Sequence, residues 1–481
     1  MLYMHIKEKW NSLALPAKVS LAYMVCNIIQ NSFSFITVPL FTRLLTITQY
    51  GQYTIYLSWQ AVLSLFLTLN LAYGTFQTAM VKFEEDKEGY IASVEGICIV
   101  LSAFFLLVYF PFQQHWNRIF ELPTGIILLM VAEVLGTTSI QMWSRKEKFD
   151  YRYKGVVLIT LLISVLSPVF AFLFVQNSVE KGYARIVGYA SVSITFGLFF
   201  FLINVLKGKK VFNKRYWQYA IGFNIPLIIY YLAQVVYIQS DRIMISHIVG
   251  MDKAAIYGVA YSLAMVLSFV RIAINDAYVP WFYRKIKSGE LEDNIPVSNG
   301  LSIIMAVLLF CVIWFAPEIV RIMAGTKYMD AVYCVPPIAL CLLIEFYCDF
   351  FIDLEFYFEE KKKMNLAYVA AAVVNIVLNY LLIKPFGFIV AAYTTLASYI
   401  VLALTNYLVM KKTLYEQNIE SKLFNYHSLI SIFVVLAGIA ILALFLYQFV
   451  IIRIVGFCIV AYIAFVRRDI VLQYAFLLRQ D

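Results

Sequence analysis

Residues 240–261 read SDRIMISHIVGMDKAAIYGVAY, and residues 40–56 read LFTRLLTITQYGQYTIY. Each stretch follows an apolar run. Each places an arginine where that run ends, Arg43 or Arg242, and after a short loop opens the next run with Tyr50-Gly51 or Tyr257-Gly258. The arginines are 199 residues apart and the Tyr-Gly pairs 207 apart. Two further anchors keep a similar offset. Pro111 and Pro317, each at the outer end of a run, differ by 206, and the helix starts GYARIVGYAS from Gly182 and GFIVAAYTTLAS from Gly387 differ by 205. Four anchors in one order argue for a duplicated unit of about six membrane spans, and an even count makes the repeat parallel.

The composition sets the medium. Of 481 residues, 62% are apolar and 14% charged, whereas an ordinary globular domain carries about 25% charged residues. A bilayer core of about 30 Å needs about 20 mostly apolar residues per helix. Fourteen such runs can be read, at about 19–42, 53–80, 91–112, 123–143, 155–175, 183–206, 217–239, 254–280, 296–316, 331–354, 364–383, 387–410, 427–446 and 449–466. With the N-terminus cytosolic, 27 of the 38 Lys and Arg residues fall in inside segments and 10 in outside segments, leaving only Arg271 in mid-span. That asymmetry is the one the positive-inside rule requires. The expected fold is therefore an all-α polytopic membrane protein. It has 14 transmembrane helices, two parallel-repeat six-helix lobes around a central cavity, two C-terminal helices and both termini cytosolic. The expected divisions are 1–210, 211–415 and 416–481. The basic N-terminal stretch MLYMHIKEKWNSLALPAKVS reads as a cytosolic lead-in and not as a signal peptide.

Much is excluded. The net charge of +9 sits in short clusters between apolar runs, which suits orientation in a membrane and not nucleic-acid binding. The seven cysteines all lie within apolar runs without metal or disulfide spacing, and His5, His115, His247 and His427 are scattered. No P-loop and no nucleophile–base arrangement is legible. No cofactor, no metal and no enzymatic activity are expected.

Polar residues inside the apolar runs are the candidate site. Arg271 lies ten residues before Trp281, about 15 Å deep at the helical rise of 1.5 Å per residue. Asn275 shares its face one turn on. Two readings stand: a cationic site for a phosphate or other acidic group, or a structural ion pair between lobes. Asn27, Gln30, Asn31 and Ser34 form one polar stripe on the first run. It reads equally as a cavity wall or as polar glue between helices. Glu345, Asp349 and Asp353 recur every four residues on one face. They could couple transport to a proton or cation, pair with Arg271, or hydrate a cavity mouth. Glu133 and Glu95 are further candidates for coupling. Arg43 and Arg242 read as snorkelling residues, Asp241-Arg242 as an interfacial charge pair, and Tyr50, Tyr53, Tyr56, Trp59 and Tyr257 as interfacial belt residues.

The segments PLFTRLLTITQYGQYTIYLS (39–58), VVYIQSDRIMISHIVGMDKAAIYGVAYSLA (235–264), AGTKYMDAVYCVPPIAL (324–340) and VVNIVLNYLLIKPFGFIVAAYTTLASY (373–399) together resemble the polysaccharide transporter family. These are the Wzx-type lipid-linked oligosaccharide flippases of the multidrug/oligosaccharidyl-lipid/polysaccharide exporter superfamily. The resemblance implies a two-lobe cavity and alternating access. The substrate it implies is an undecaprenyl-pyrophosphate-linked oligosaccharide repeat unit, moved across the bacterial inner (plasma) membrane for O-antigen, capsule or exopolysaccharide biosynthesis. It implies a cationic cavity for the pyrophosphate, a role that Arg271 could fill. It also implies membrane lipid, a polysaccharide polymerase and a chain-length regulator as partners. The alternative is a cation-coupled multidrug-type exporter of small amphipathic molecules.

Overall fold

The computed structural model describes residues 15–74, 76–358, 361–419 and 422–466, and all regular structure among them is helical. A helix satisfies every backbone polar group within its own segment, which lipid cannot do. The chain divides into two units, Met1–Gln239 and Ser240–Asp481.

The first unit holds α1 (Leu15–Leu44), α2 (Ile47–Thr68), α3 (Phe76–Lys82), α4 (Lys87–Tyr109), α5 (Gln113–Phe120), α6 (Thr124–Phe149), α7 (Tyr153–Gln176) and α8 (Lys181–Gly208). The division falls inside α9 (Lys214–Ile248). The second unit continues with α10 (Met251–Ala264), α11 (Ser268–Ser288), α12 (Asn294–Trp314), α13 (Ala316–Met323), α14 (Val335–Tyr357), α15 (Lys361–Phe386), α16 (Val390–Glu416), α17 (Tyr426–Leu446) and α18 (Val450–Val466).

Each of the fourteen apolar runs falls on helix, and eleven helical stretches among the described residues are long and apolar enough to cross a membrane. The run 53–80 is not one helix. It breaks after Thr68, where Leu69 and Asn70 take positive φ and close a set of tight turns before α3 begins. The run 254–280 is likewise interrupted by a 3-10 turn at Met265–Leu267.

Residues in or near the matched stretches have local roles. Thr46 caps α2 with a full capping box: its hydroxyl accepts from the Gln49 N–H at 3.2 Å, and the Gln49 side chain accepts from the Thr46 N–H at 3.1 Å. The T-x-x-Q spacing satisfies two donors that a helix start leaves open. Pro111 lies in the 3-10 turn Phe110–Phe112 that leads into α5, and Pro317 opens α13. Both helices are eight residues long.

Small residues set the packing of the first unit. A Cβ on Gly197 of α8 would lie 2.2 Å from the Gly136 Cα of α6. One on Gly188 would lie 2.3 Å from the Ala171 Cα of α7. Backbones can approach this closely only where side chains are missing. In the second unit α14 is the enclosed helix: 83% of its most apolar stretch is buried, against 17% in α7. Most side chains of α14 therefore face neighbouring helices.

Candidate functional site

Polar side chains inside these apolar helices gather in three places. The first is a cavity of about 520 Å³ within the first unit. α6 supplies one wall, where Gln141, Ser144, Arg145 and Lys148 follow helical spacing and share a face. Gln30 of α1 and Gln77 of α3 line it too. The Arg145 guanidinium stacks 3.7 Å from the Tyr73 ring centroid, and the Lys148 ammonium lies 4.5 Å over Tyr23. Among the described residues no aspartate or glutamate lines this cavity. Of the expected stripe on α1, Gln30 faces the cavity. The side chains of Asn27, Asn31 and Ser34 lie outside the described residues.

The second place joins α11 to α14. Arg271 Nη2 lies 3.2 Å from Glu345 Oε1, and Nη1 donates to Asp349 Oδ2. One turn further along both helices, Asn275 lies beside Asp353. The two periodic faces legible in the sequence thus meet as a ladder. All of it lies in the second unit, so the Arg271 pairs form within one unit. One guanidinium faces three carboxylates here, and the Oε2 atom of Glu345 and the Oδ2 atom of Asp353 are buried without a hydrogen-bond partner.

The third place was not anticipated. Asp241 is 2% exposed and lies within α9. Its carboxylate accepts from the Tyr257 hydroxyl, from Asn375 Nδ2 at 3.1 Å, from Asn379 Nδ2 at 2.7 Å and from Thr395 Oγ1 at 2.6 Å. Ser240 donates to Asn375 Oδ1 at 2.7 Å, and Thr394 to Asn379 Oδ1. The sequence reads Asp241 as part of an interfacial charge pair; in the fold it is buried, and four donors from α10, α15 and α16 replace water around the charge. Tyr257, Tyr56 and Tyr50 are buried inside the protein, so these three do not face the lipid interface as a belt would. The polar pattern N-x-x-x-N followed by Thr-Thr in apolar runs was the signal available. A carboxylate among amide and hydroxyl oxygens is the donor type that hard cations take. No group of three or more His, Cys, Asp or Glu suited to a metal occurs among the described residues.

The remaining candidates have private partners. Glu133 is buried and accepts from the Tyr56 hydroxyl. Glu95 is 3% exposed, and its Oε1 accepts from Asn204 at 2.8 Å. Two further arginines, each near the start of its apolar run, are buried. Arg185, 3% exposed, packs its guanidinium 3.7 Å over Tyr53, 4.2 Å over Phe41 and 4.7 Å over Tyr50. Arg453, 1% exposed, makes a two-pronged pair with Glu318 at 2.6 and 2.7 Å.

An all-helical chain with polar cavities inside apolar helices has the anatomy of a membrane transporter. Sequence and structure comparisons agree. Residues 17–285 match the polysaccharide biosynthesis protein family, and the chain belongs to that family. It is 23% identical over 331 residues to a Haemophilus influenzae protein named for the Lsg locus, covering 65% of this chain and 78% of that one. It is 21% identical over 363 residues to an uncharacterized membrane protein of Methanocaldococcus jannaschii, covering 69% and 70%. Among solved structures, the lipid II flippase MurJ in its inward closed conformation matches with a TM-score of 0.64 at 13% identity, over 94% of this chain and 99% of that one. An inward-facing multidrug resistance MATE transporter matches with a TM-score of 0.54 at 10% identity, over 83% and 96%. The fold is thus one shared with membrane flippases and exporters.

Proposed function

We propose that the chain is a flippase. It translocates undecaprenyl-pyrophosphate-linked oligosaccharide repeat units across a bacterial inner membrane by alternating access, feeding surface polysaccharide biosynthesis. The observation that carries this reading is membership of the polysaccharide biosynthesis family on a fold shared over 94% of the chain with a lipid II flippase. Fourteen crossing helices, cytosolic termini and two six-helix lobes at 1–210 and 211–415 complete the proposal, with 416–481 forming the added pair and tail. The protein performs transport and no bond chemistry. A polymerase and a chain-length regulator would act on what it delivers.

Arg271, Asn275, Glu345, Asp349 and Asp353 form the proposed coupling group. With its carboxylates ionised, Arg271 is neutralised by Glu345 and Asp349. A proton or cation taken up by either carboxylate would loosen the ion pairs that join α11 to α14. Asp241 and Glu133 are the alternative coupling positions.

Leaflet exchange tests the proposal. Purified protein in liposomes carrying a fluorescent undecaprenyl-pyrophosphate oligosaccharide should speed exchange of that lipid, and folded Arg271→Ala should not. The same assay with and without a proton gradient reads coupling. The buried carboxylates and the MATE-like fold favour a second reading, a cation-coupled exporter of small amphipathic molecules. Gradient-driven efflux of such a molecule, with no exchange of any lipid-linked sugar, would establish that reading instead.

A further inference from the structure

We propose that the pyrophosphate of the substrate is held in the first unit, at Arg145 and Lys148. The amides of Gln30, Gln77 and Gln141 would contact the adjoining sugar. This inference rests on the flippase reading and assigns the headgroup to a different site from Arg271.

The argument is one of charge. Arg271 already faces two carboxylates within ion-pair distance, with Asp353 one turn away. With all three ionised, that ladder carries formal charge −2 and repels a pyrophosphate. The first-unit cavity carries the opposite sign: Arg145 and Lys148 line it, and no carboxylate does among the described residues. The nearby Glu147 lies 3.8 Å from Lys146, which also pairs with Glu88 at 2.6 Å. Neither Arg145 nor Lys148 has an ion-pair partner among the described residues.

Geometry adds to charge. Residues 145 and 148 are three apart on α6, so their side chains rise from neighbouring points on one face. That suits two linked phosphates better than one. Each cation rests on an aromatic face, Tyr73 or Tyr23. A ring face steadies a cation without cancelling its charge, so the N–H donors stay open to an anion. Glutamine amides donate and accept at once, which is what sugar hydroxyls need. A cavity of about 520 Å³ has room for a pyrophosphate with a sugar beside it, within the usual range for small-molecule sites. The polyprenyl tail needs no place in this polar space.

The test uses the full chain in nanodiscs of neutral phosphatidylcholine, titrated calorimetrically with three probes. These are a short-chain polyprenyl pyrophosphoryl N-acetylglucosamine, its uncharged polyprenyl glycoside, and inorganic pyrophosphate. The double variant R145Q/K148Q should bind the pyrophosphoryl lipid about tenfold or more weakly, since charge-assisted contacts are lost, and should bind the uncharged glycoside as wild type does. Inorganic pyrophosphate should compete with the lipid in wild type. Competition by phosphatidylglycerol vesicles as strong as that by pyrophosphate would overturn the assignment, because any anionic headgroup would then do. Q77L should weaken the sugar-bearing lipid and not sugar-free polyprenyl pyrophosphate. K412Q, a change at an exposed lysine of α16, controls for general attraction and should bind as wild type.

A folded R145Q/K148Q protein with wild-type affinity would sink this site and leave the flippase reading standing. Wild type that neither binds nor exchanges any lipid-linked sugar would sink both. Should the double variant misfold, K148Q alone replaces it, because Lys148 is exposed and its loss leaves no buried group unpaired. K148Q should then weaken the pyrophosphoryl lipid severalfold, and wild-type affinity in K148Q would overturn the assignment.

Discussion

The Arg271 guanidinium lies 3.2 Å from the Glu345 carboxylate, with Asp349 pairing on its other nitrogen. A charge in mid-span is thereby answered by two charges from one neighbouring helix. Removing the arginine would strand both carboxylates among apolar helices.

Arg271→Ala should therefore destabilise the protein by about 3–5 kcal/mol, the usual cost of breaking a buried pair from one side. Adding Asp349→Asn to that variant should restore part of the loss, because one fewer charge is left alone. Thermal unfolding in detergent reads both. Equal stability of Arg271→Ala and wild type would show that Arg271 is not the counter-charge.

Asp241→Asn keeps the shape of the third cluster and reverses part of its hydrogen bonding. An amide nitrogen would then meet one pair of donors, either Asn375 and Asn379 or Tyr257 and Thr395, while the remaining oxygen keeps the other pair. Unmade buried bonds of this kind cost about 1–3 kcal/mol. The melting temperature should fall accordingly, and Tyr257→Phe should lower it less, having removed one donor only.

Gly197→Leu tests the packing of α6 on α8. Its Cβ alone would meet the Gly136 backbone at 2.2 Å, so the helices must part. Overpacking costs about 1–3 kcal/mol and more where backbone must move. Gly438→Ala, where an added Cβ meets nothing within 4 Å, should leave the melting temperature close to wild type.

The Arg453–Glu318 clamp ties α18 to α13 and carries a pH dependence. The Arg453 hydrogen bond holds the Glu318 carboxyl below the usual carboxylate range. A depressed folded value means that the contribution is present above the unfolded value of 4.5 and fades as pH falls through the folded value. Glu318 is 38% exposed, so solvent screening keeps this contribution to about 1 kcal/mol or less. The gap in melting temperature between wild type and Glu318→Gln should be open at pH 7 and narrow below about pH 4, where protonation makes the two side chains alike.

Which parts were legible depended on where a residue stood in its run. Arg271, Glu345, Asp349 and Asp353 could be found because charge is costly in the middle of an apolar helix and their spacing puts them on single faces. Gln30 was found by the same logic. Arg185, Arg453 and Asp241 sit near run ends, where a long or charged side chain ordinarily reaches water. Nothing local separates that case from burial. Arg185 is buried because Phe41, Tyr50 and Tyr53, more than 130 residues earlier, close over it. Asp241 is buried because Asn375, Asn379 and Thr395, more than 130 residues later, supply its donors.

The sequence by itself determined the medium, the helical class and the repeat anchors. Apolar length, charge scarcity and capping chemistry are local, and a bilayer leaves a chain little besides helices. Tertiary structure alone decided which cation stays unneutralised. Arg145 stands in a basic cluster at the end of a run and Arg271 alone in mid-span, so sequence by itself favours Arg271 as the anion site. Only packing gives one a tyrosine ring and a polar cavity, and the other two carboxylates. Electrostatics acts through space, and distance in space is what the order of residues does not contain.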